Sequence, residues 1–538
     1  MANWQTKEEL TELLTNLVEH ASVTGSSEEI AISEYLQIRL RELSYFQENP
    51  DHLQLHPTSD GRKFLTALVK RGLAKKTVVM LSHFDVVDVE DYGDWKNLAF
   101  RPLDLTNEIN RNIEVMPDEV REDIESGDWL FGRGTMDMKA GASLQMSMLE
   151  KASEGEFDGN LLMLSVPDEE ANSTGMIEAV EVLLDWAKKY ELDYQAVLNS
   201  EPVFTRYPGD RNLYVYSGSV GKVLPGFFCY GRETHVGEPF AGLNANNMVA
   251  QLTQALELNT DFCEIVAGEV TPPPTNLMQK DLKEEYSTQI PHTAVTNFNI
   301  LTMERPLDQL NDHLLKVAKD TAAQMEKDYY QKAKQYAEWQ PFDPVDFQIN
   351  IYTYDELLDM AEDAYGKDEI ERRQAYISAN YKELGDRDLS SRLVSDLAAL
   401  CKDKAPMIVL FYNPPFYPAV SSRDNEHIQK VIEKVTRYSE EHYQISLKHQ
   451  RFFAGLSDLS FTGLQLSLDD LNPLMTNMPL YGNGYDLPFD ALRELNLPVM
   501  NLGPLGRDPH RWTERLELDY SFGTLHDTLS YTIGELLK

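Results

Sequence analysis

The sequence predicts an α/β protein, with a mainly parallel sheet and an inserted α+β domain. Before Arg211, short apolar runs rich in β-branched residues alternate with amphipathic stretches, which is the pattern of strands buried between helices. After Arg211, apolar and small residues alternate, which favours antiparallel strands. At 538 residues, with 42% hydrophobic residues, the chain is long enough for two or more domains.

Two helices are predicted at the start of the chain. Apolar residues recur there at helical spacing, namely Leu10, Leu13, Leu14, Leu17 and Val18. Ser26 and Glu29 then predict a capping box at the start of the second helix.

Strands and helices then alternate. The predicted strands are FLTALVK from Phe64, TVVMLS from Thr77, NLLMLSV from Asn160 and AVLNS from Ala196. The predicted helices between them span 138–152 and 176–190. Strand alternating with helix indicates a mainly parallel sheet that is covered on both faces.

The inserted domain is expected at 212–354. Its elements are an antiparallel hairpin in LYVYSGSVGKVLPGFFCYGR from Leu213, a helix near 246–258, strands from His292 and Asp346, and a polar helix over 307–339. The predicted strand MIVLFY from Met407 is an unbroken apolar run, like the buried strands predicted in the first half of the chain. We therefore expect a first domain built from 1–211 and 355–538, with a charged helical insert near 355–404.

Composition limits the partners. Asp and Glu total 88 against 49 Lys and Arg, a formal charge of −39, which argues against nucleic acid or an anionic membrane as a partner. The three cysteines are odd in number and far apart, so they indicate neither a disulfide framework nor a cysteine metal site. The N-terminus has no apolar signal core, and no run reaches the ~18 apolar residues of a membrane span. We expect a cytoplasmic protein.

His83 and Asp85 stand two residues apart at the end of a predicted buried strand, in SHFD. This spacing puts both side chains on one face, where an imidazole can bind metal while the carboxylate holds its other nitrogen. On its own, the pair is more typical of a structural hydrogen bond.

Glu169 and Glu170 follow the next strand, in SVPDEE. Two neighbouring carboxylates repel each other, so a cation or a shared proton is needed if both are buried. One could bind a metal while the other acts as a general base on water. In so acidic a chain, an isolated pair of this kind is more often a solvated turn.

Three further residues complete a set of oxygen and nitrogen donors. Asp137 lies in the glycine-rich stretch FGRGTMDMKAG, Glu201 follows another strand, and His510 lies in the Gly/Pro loop GPLGRDPHRWTE. Taken together with the strand-end residues, they suit two zinc ions or similar ions. Sequence signatures of other hydrolases, such as GxSxG or HExxH, do not occur.

These motifs resemble, in order and type, the metallopeptidase family M20, and the resemblance covers nearly the whole chain. The motifs are an HxD after a strand, GRGxxDxKxG, an EE pair, an acid after a later strand, and GPxG followed by a histidine. The resemblance implies a zinc-peptidase-like catalytic domain and an inserted lid domain of the dimerisation type. The length and the helical insert resemble the RocB-like branch of the family, which acts in arginine utilisation.

The resemblance also implies the role of each residue. Asp137 would bridge two divalent ions, zinc first, with cobalt or manganese as alternatives. His83 and Glu201 would bind one ion, and Glu170 and His510 the other. Glu169 would be the base that activates water and then protonates the leaving amine, and Asp85 would orient His83. A cis peptide after Asp137 is also implied.

The lid segment of the family is matched by GRETHVGEPFAGLNAN. His235 would stabilise an oxyanion at the site of a partner subunit in a homodimer, and Asn244 would contact substrate. Thr234 and Val236 depart from the small residues that are usual beside that histidine.

The expected function is therefore metal-dependent cleavage of an amide bond in a small peptide or an N-acyl amino acid, in arginine or amino-acid catabolism. The alternative is a non-catalytic relative that binds metal or a metabolite in arginine metabolism. The presence of a base at Glu169 argues against this alternative.

Overall fold

The chain forms two compact units in the computed structural model, which describes residues 4–207, 209–283, 285, 287–381 and 383–538. The larger unit contains the described residues of 1–220, 419–464 and 488–538. The smaller unit contains those of 221–418 and 465–487.

The strands within the described residues are numbered in chain order. They are β1 (Leu53–Pro57), β2 (Lys63–Val69), β3 (Lys76–His83), β4 (Trp129–Phe131), β5 (Asn160–Val166), β6 (Asp193–Asn199), β7 (Leu213–Tyr216), β8 (Gly218–Ser219), β9 (Gly221–Tyr230), β10 (Ile265–Val266), β11 (Glu269–Val270), β12 (Thr275–Asp281), β13 (Thr293–Thr302), β14 (Asn350–Thr353), β15 (Met407–Tyr417), β16 (Val420–Ser421), β17 (Leu447–Gln450), β18 (Val499–Asn501), β19 (Gly506–Arg507) and β20 (Arg515–Glu517).

The α-helices of the same residues are numbered likewise. They are α1 (Lys7–Glu19), α2 (Ser27–Leu40), α3 (Ser44–Glu48), α4 (Pro102–Arg111), α5 (Asp118–Ser126), α6 (Ala140–Glu154), α7 (Thr174–Tyr190), α8 (Ala245–Leu256), α9 (Leu307–Ala337), α10 (Tyr354–Tyr365), α11 (Lys367–Asn380), α12 (Asp386–Leu400), α13 (Glu426–Tyr443), α14 (Leu468–Thr476), α15 (Phe489–Leu495) and α16 (Leu525–Leu536).

An eight-stranded sheet organises the larger unit, in the order β1-β2-β5-β3-β6-β18-β7-β17. Its central strands β5, β3, β6 and β18 pair in parallel, while β1, β2 and β5 pair antiparallel. Strands β3 and β5 are almost wholly buried, as their unbroken apolar sequences predict. The predicted α/β class with a mainly parallel sheet is confirmed.

A second, three-stranded sheet in this unit positions two distant loops. Strand β20 pairs antiparallel with both β19 and β4. The loop between β19 and β20 is thereby joined to the end of β4, where the glycine-rich turn begins. This pairing links parts of the chain that are far apart in sequence.

The smaller unit is an α+β structure around a five-stranded sheet, in the order β12-β13-β9-β15-β14. Helices α10 and α12 contribute Leu357, Val394 and Leu397 to a core that also contains Phe228 and Val409 from the sheet. The predicted charged helices of 355–404 are thus present, with their apolar sides buried in this core.

The predicted hairpin of 213–232 is wrong. Strand β7 pairs with β17 and β18 in the eight-stranded sheet, whereas β9 pairs with β13 and β15 in the five-stranded sheet. The alternation in this stretch therefore reflects two strands of different sheets. Residues 217–220 carry the chain from one unit to the other.

The boundaries of the units also differ from the expected ones. Strand β15, which we assigned to the first domain, pairs with β9 and β14 and so belongs to the smaller unit. Helices α10 to α12 lie in that unit too. The expected end of the inserted domain at 354 thus moves to 418, because a buried strand looks alike in either sheet.

The capping box at Ser26 and Glu29 is not formed. Ser26 is the N-cap of α2, but its side chain makes no capping hydrogen bond. The carboxylate of Glu29 accepts hydrogen bonds from Gly25 and Asp168 instead. In the ranges described above, none of the helices combines the length and apolarity that crossing a membrane requires.

Candidate metal centre

Three neighbouring strands of the large sheet end at one edge and bring four predicted residues to it. Strand β3 ends at His83, which lies in register with Val166 at the end of β5. Strand β6 pairs with β3 on its other side and ends at Asn199. The loops after β5 and β6 carry Glu169, Glu170 and Glu201. Residues at and just after the carboxyl ends of parallel strands lie at the same edge of the sheet, which is the usual ligand side of such sheets.

Glycine at position 503 lets the Glu201 loop lie close to the C-terminal part of the chain. A Cβ at Gly503 would lie 1.9 Å from the carbonyl oxygen of Glu201. Such a contact is impossible for any other residue without a backbone shift. The first glycine of GPLG is therefore required by packing around a strand-end acid.

The glycine-rich turn after β4 carries Asp137. Gly134 adopts a φ of 80°, in the left-handed region that favours glycine. Its N–H donates to Oε1 of Glu514 at 2.8 Å. The peptide bond between Asp137 and Met138 is cis, as the resemblance implies. Because β4 pairs with β20, the turn lies beside the loop that carries His510.

Each carboxylate oxygen of Asp137 faces a different histidine. Oδ1 lies 3.3 Å from Nε2 of His83, and Oδ2 lies 3.3 Å from Nε2 of His510. Oε1 of Glu201 lies 3.4 Å from the same nitrogen of His83. The carboxylate of Glu170 lies 3.1 Å from Nε2 of His510. The cluster therefore has two sides that share Asp137.

Glu169 lies beside the first of these sides. Its Oε2 is 3.8 Å from Nε2 of His83, farther than the oxygens of Asp137 and Glu201. Burial raises the pKa of Glu169 well above its usual value, and the charge of Glu201 adds to this shift. A carboxyl group with a raised pKa can hold and return a proton near neutral pH.

Burial and crowded carboxylates set the protonation of the cluster. Burial lowers the pKa of His83, but Glu201, Asp137 and Asp85 together raise it well above its usual value. The pKa of His510 is likewise raised to about 11, because Asp137 and Glu170 outweigh the effect of burial. Burial raises the pKa of Glu201 to about 7. The acids thus outnumber the histidines that offset their charge.

The donor atoms and their spacing fit divalent cations. Two ligand atoms at about 2.1 Å from a tetrahedral ion are about 3.4 Å apart, close to the separations of 3.3 and 3.4 Å around His83. Ligand atoms of His83, Asp137 and Glu170 all lie within 4.8 Å of one another. Imidazole nitrogens and carboxylate oxygens are ligands that zinc and related ions accept.

Asp85 supports two parts of the site. Nδ1 of His83 lies 3.0 Å from the main-chain oxygen of Asp85 and 3.5 Å from its carboxylate. The nearer acceptor is thus the carbonyl, although the sequence led us to expect the carboxylate. The carboxylate accepts the N–H groups of Glu169 and Glu170, at 3.1 and 3.2 Å, and the hydroxyl of Thr24. Asp85 therefore joins His83 to the Glu169–Glu170 turn.

The two predicted lid residues lie in the smaller unit. His235 is exposed, with Nε2 3.2 Å from the hydroxyl of Thr288 and Nδ1 accepting the N–H of Gly237. Asn244 is the N-cap of α8, and its side chain accepts the N–H of Asn246. The structure thus gives Asn244 a capping role.

Sequence reasoning missed three buried charged residues around the cluster. Glu514 accepts hydrogen bonds from Gly134 and from the guanidinium of Arg133. Burial raises the pKa of Asp458 well above its usual value, and the charges of Asp85 and Glu201 contribute. Lys139 is buried and donates to the carbonyl of His20. Glu514 and Lys139 lie within the motifs quoted above, close in sequence to His510 and Asp137. Their positions could therefore have identified them as candidate residues of the site.

Comparisons with known proteins find matches that cover most of the chain. Residues 79–470 match the peptidase family M20/M25/M40. Protein RocB of Bacillus subtilis (strain 168) is 31% identical over 98% of this chain and 94% of its own length. The uncharacterized protein YqjN of the same strain is 54% identical over 100% of this chain and 98% of its own length.

A solved structure supports the fold. The dipeptidase Dug1p of Saccharomyces cerevisiae superposes with a TM-score of 0.54, covering 99% of this chain and 96% of that protein at 13% sequence identity. The family match covers well over half of the chain, and RocB resembles it from end to end. The chain therefore belongs to the peptidase family M20/M25/M40.

Proposed function

We propose that this protein is a hydrolase that uses two divalent metal ions to cleave an amide bond in a small peptide or an N-acyl amino acid. The observation that carries the proposal is the placement of Asp137, whose two oxygens each lie 3.3 Å from a different histidine. A carboxylate shared in this way is suited to bridge two ions.

We assign the metal ligands from these contacts. His83 and Glu201 would hold one ion, Glu170 and His510 the other, and Asp137 both. Zinc is the proposed metal, with cobalt or manganese as alternatives. When bound, the ions would polarise the scissile carbonyl and lower the pKa of water.

Glu169 is the proposed general base. It would accept a proton from the attacking water and return it to the nitrogen of the leaving amine. Its buried position and raised pKa support this role. Asp85 would fix the Glu169–Glu170 turn through the two N–H groups that it accepts.

His235 remains the proposed oxyanion-stabilising residue, supplied to a partner subunit in a homodimer. The support is the match of GRETHVGEPFAGLNAN to the lid segment of the family and the exposure of the imidazole. A direct contact of Asn244 with substrate has weaker support, because its side chain caps α8.

The proposed substrate class is supported by membership of the family and by the likeness to RocB. Because RocB is 31% identical over nearly all of this chain, we infer a role in the catabolism of arginine or a related amino acid. The scattered cysteines support a cytoplasmic location.

Turnover tests the proposal. The protein would be loaded with zinc, cobalt or manganese and assayed against panels of dipeptides and N-acyl amino acids. We expect hydrolysis of at least one panel member by the wild type, and a loss of at least about 100-fold in kcat for Glu169→Gln. Glu181→Gln, which changes an exposed glutamate of α7, is the matched control and should keep full activity.

Two results would overturn the proposal. One is turnover by Glu169→Gln equal to that of the wild type. The other is no turnover by the wild type with any metal, which would favour a non-catalytic protein that binds metal or a metabolite.

A further inference from the structure

The turn that carries Glu169 and Glu170 begins with a residue in an unusual backbone conformation. Asp168 has a φ of 73°, which is uncommon for a residue with a side chain. Its carbonyl accepts the N–H groups of Ala171, Asn172 and Ser173, so the chain folds tightly around it. Both glutamates follow directly, and their directions depend on how this turn is held.

Two buried carboxylates hold the turn from outside. Asp85 accepts the N–H groups of Glu169 and Glu170. Glu29, on α2, accepts the N–H of Asp168 through Oε1 at 2.9 Å. Its Oε2 accepts the N–H of Gly25 at 2.6 Å. Three consecutive peptide N–H groups are thus fixed by carboxylates from two other segments.

Arg62 offsets the charge of this arrangement. Its Nη1 lies 2.6 Å from Oδ1 of Asp168 and 3.1 Å from Oε1 of Glu29. Its Nε donates to Asp60 at 2.9 Å. The Glu29 side chain is fully buried, and that of Asp168 is only 4% exposed. Two acids buried this deeply need a cation close by.

The hydrogen bonds of Glu29 differ from those of a helix cap. Its sequence position three residues after an N-cap serine favours a bond to the N-terminus of its own helix. The carboxylate instead accepts the N–H of Gly25 and that of Asp168, and Asp168 lies 139 residues from Glu29 in the chain. Burial raises the pKa of Glu29 to about 7, so keeping it ionised here depends on Arg62 and these N–H donors.

We propose that Glu29 and Arg62 are positioning residues, which fix the Asp168 turn and thereby aim Glu169 and Glu170. The inference rests on the proposed function, because it assigns roles to the residues behind the base and one metal ligand. It goes beyond that function by placing two residues outside the proposed metal ligands in control of the geometry of the turn. Small displacements of a base or ligand are costly, since misplacement by about 1 Å can reduce a rate about 100-fold.

Glu29→Gln is the sharpest test. Glutamine keeps the length and shape, but it loses the charge and turns one acceptor oxygen into an N–H₂ donor that faces a peptide N–H. The matched control is Glu34→Gln, on the same helix, where the exposed carboxylate pairs with Lys63. Both variants would be compared with the wild type well below their unfolding temperatures.

We expect three changes in Glu29→Gln and none in Glu34→Gln. The affinity for the zinc ion that Glu170 and His510 would hold should fall about tenfold, because Glu170 is displaced. The visible absorption spectrum of the cobalt-loaded protein should change. The kcat per metal-loaded molecule should fall about tenfold or more, with KM within about twofold of wild type.

A merely structural role would lower the unfolding temperature of Glu29→Gln and leave zinc affinity, cobalt spectrum and kcat at wild-type values; that result overturns the proposal. If Glu29→Gln does not fold, Arg62→Lys is judged by the same measurements, since lysine keeps the charge but cannot bond several carboxylates in one plane. An inactive wild type would overturn the proposed function, while zinc affinity and the cobalt spectrum would still decide the positioning role.

Discussion

Asp137 joins the two sides of the cluster, and its neighbours differ in exposure. His83 is buried, with a side chain 1% exposed, whereas the His510 side chain is 47% exposed. Oδ1 of Asp137 is therefore enclosed by the strand ends, and Oδ2 faces a histidine near solvent. The two proposed metal positions should differ in how readily they lose their ion.

His510→Ala should lose about half of the bound zinc. The variant removes the imidazole from one side only, so His83, Glu201 and Oδ1 of Asp137 remain for the other ion. Metal content would be measured by mass spectrometry after gel filtration. His442→Ala, at an exposed histidine of α13, is the control and should keep all of its zinc. Full retention of zinc by His510→Ala would reject the ligand role.

His526 should make the protein less stable in mild acid. Burial lowers its pKa to about 4, and Nε2 lies 2.8 Å from the hydroxyl of Ser147. An unfolded chain has histidine pKa values of about 6.5, so it binds more protons between these two values, and stability falls as the pH drops from about 6.5 to 4.

In acid, the free energy of unfolding should fall by up to about 3 kcal/mol less in His526→Gln than in the wild type. The measurement is the free energy of unfolding in urea at several pH values, with His442→Gln as the control. Identical pH dependence in wild type and His526→Gln would show that His526 is not the titrating group.

The residues of the candidate cluster were predictable from the sequence, whereas some of the buried residues that surround them were not. His83, Asp137 and His510 stand in motifs whose order identifies the family. Glu29 looks like a surface acid at a helix start, and only the fold buries it against Asp168. Asp458 lies in a segment without a recognisable motif, and its burial depends on the packing of distant segments.

A buried ion pair lies at the base of the β19–β20 loop. The guanidinium of Arg515, in β20, donates to Asp123 of α5 at 2.6 and 2.9 Å. Both side chains are buried, at 1% and 7% exposure. Arg515 also bonds Asp508 within the loop, so the pair ties the loop that carries His510 to α5.

Arg515→Met should lower the free energy of unfolding by about 3 kcal/mol, because Asp123 would be left buried without its main partner. Arg211→Met is the control, since Arg211 pairs with Glu122, the neighbour of Asp123 on α5, at an exposed position. It should cost less than about 1 kcal/mol. Urea unfolding would measure both. Equal effects of the two variants would contradict the importance of the buried pair.

Elements were predicted well where the period of the pattern was clear. The predicted helix of 307–339 corresponds to α9, and the strand from Thr77 corresponds to β3. The failure at 213–232 has a physical cause: alternation shows that strands are present, but their hydrogen-bonded partners lie elsewhere in the chain. The sequence does not show that β7 and β9 join different sheets.

At the scale of the whole molecule, each unit is built from separated segments of the chain. The chain leaves the larger unit at 220, returns at 419, and visits the smaller unit again at 465–487. The sequence indicated one inserted segment, because the pattern of apolar residues changes near Arg211, where that segment was expected to begin. The second segment, 465–487, is short and holds one short helix, α14, between loops, so no change of pattern marked it.

The net charge of −39 predicts that salt stabilises the protein. Self-repulsion between acidic side chains weakens as salt screens it, and the Debye length is about 10 Å at 0.1 M. The unfolding temperature of metal-free protein should rise by about 2 °C or more when NaCl is raised to about 0.3 M from low salt. Choline chloride should have the same effect if screening is the cause. A constant or falling unfolding temperature would contradict this prediction.

Whether Asp137 joins two ions is tested most directly by the number of zinc ions bound per chain, in the wild type and in Asp137→Asn. Asparagine keeps the shape but lacks the charge that both sides need, so we predict about two ions for the wild type and fewer than about one for the variant. Asp158→Asn, at an exposed aspartate, should bind as the wild type does. A wild type that saturates with one ion, or an Asp137→Asn variant that keeps two, would contradict a shared carboxylate at the centre of the site.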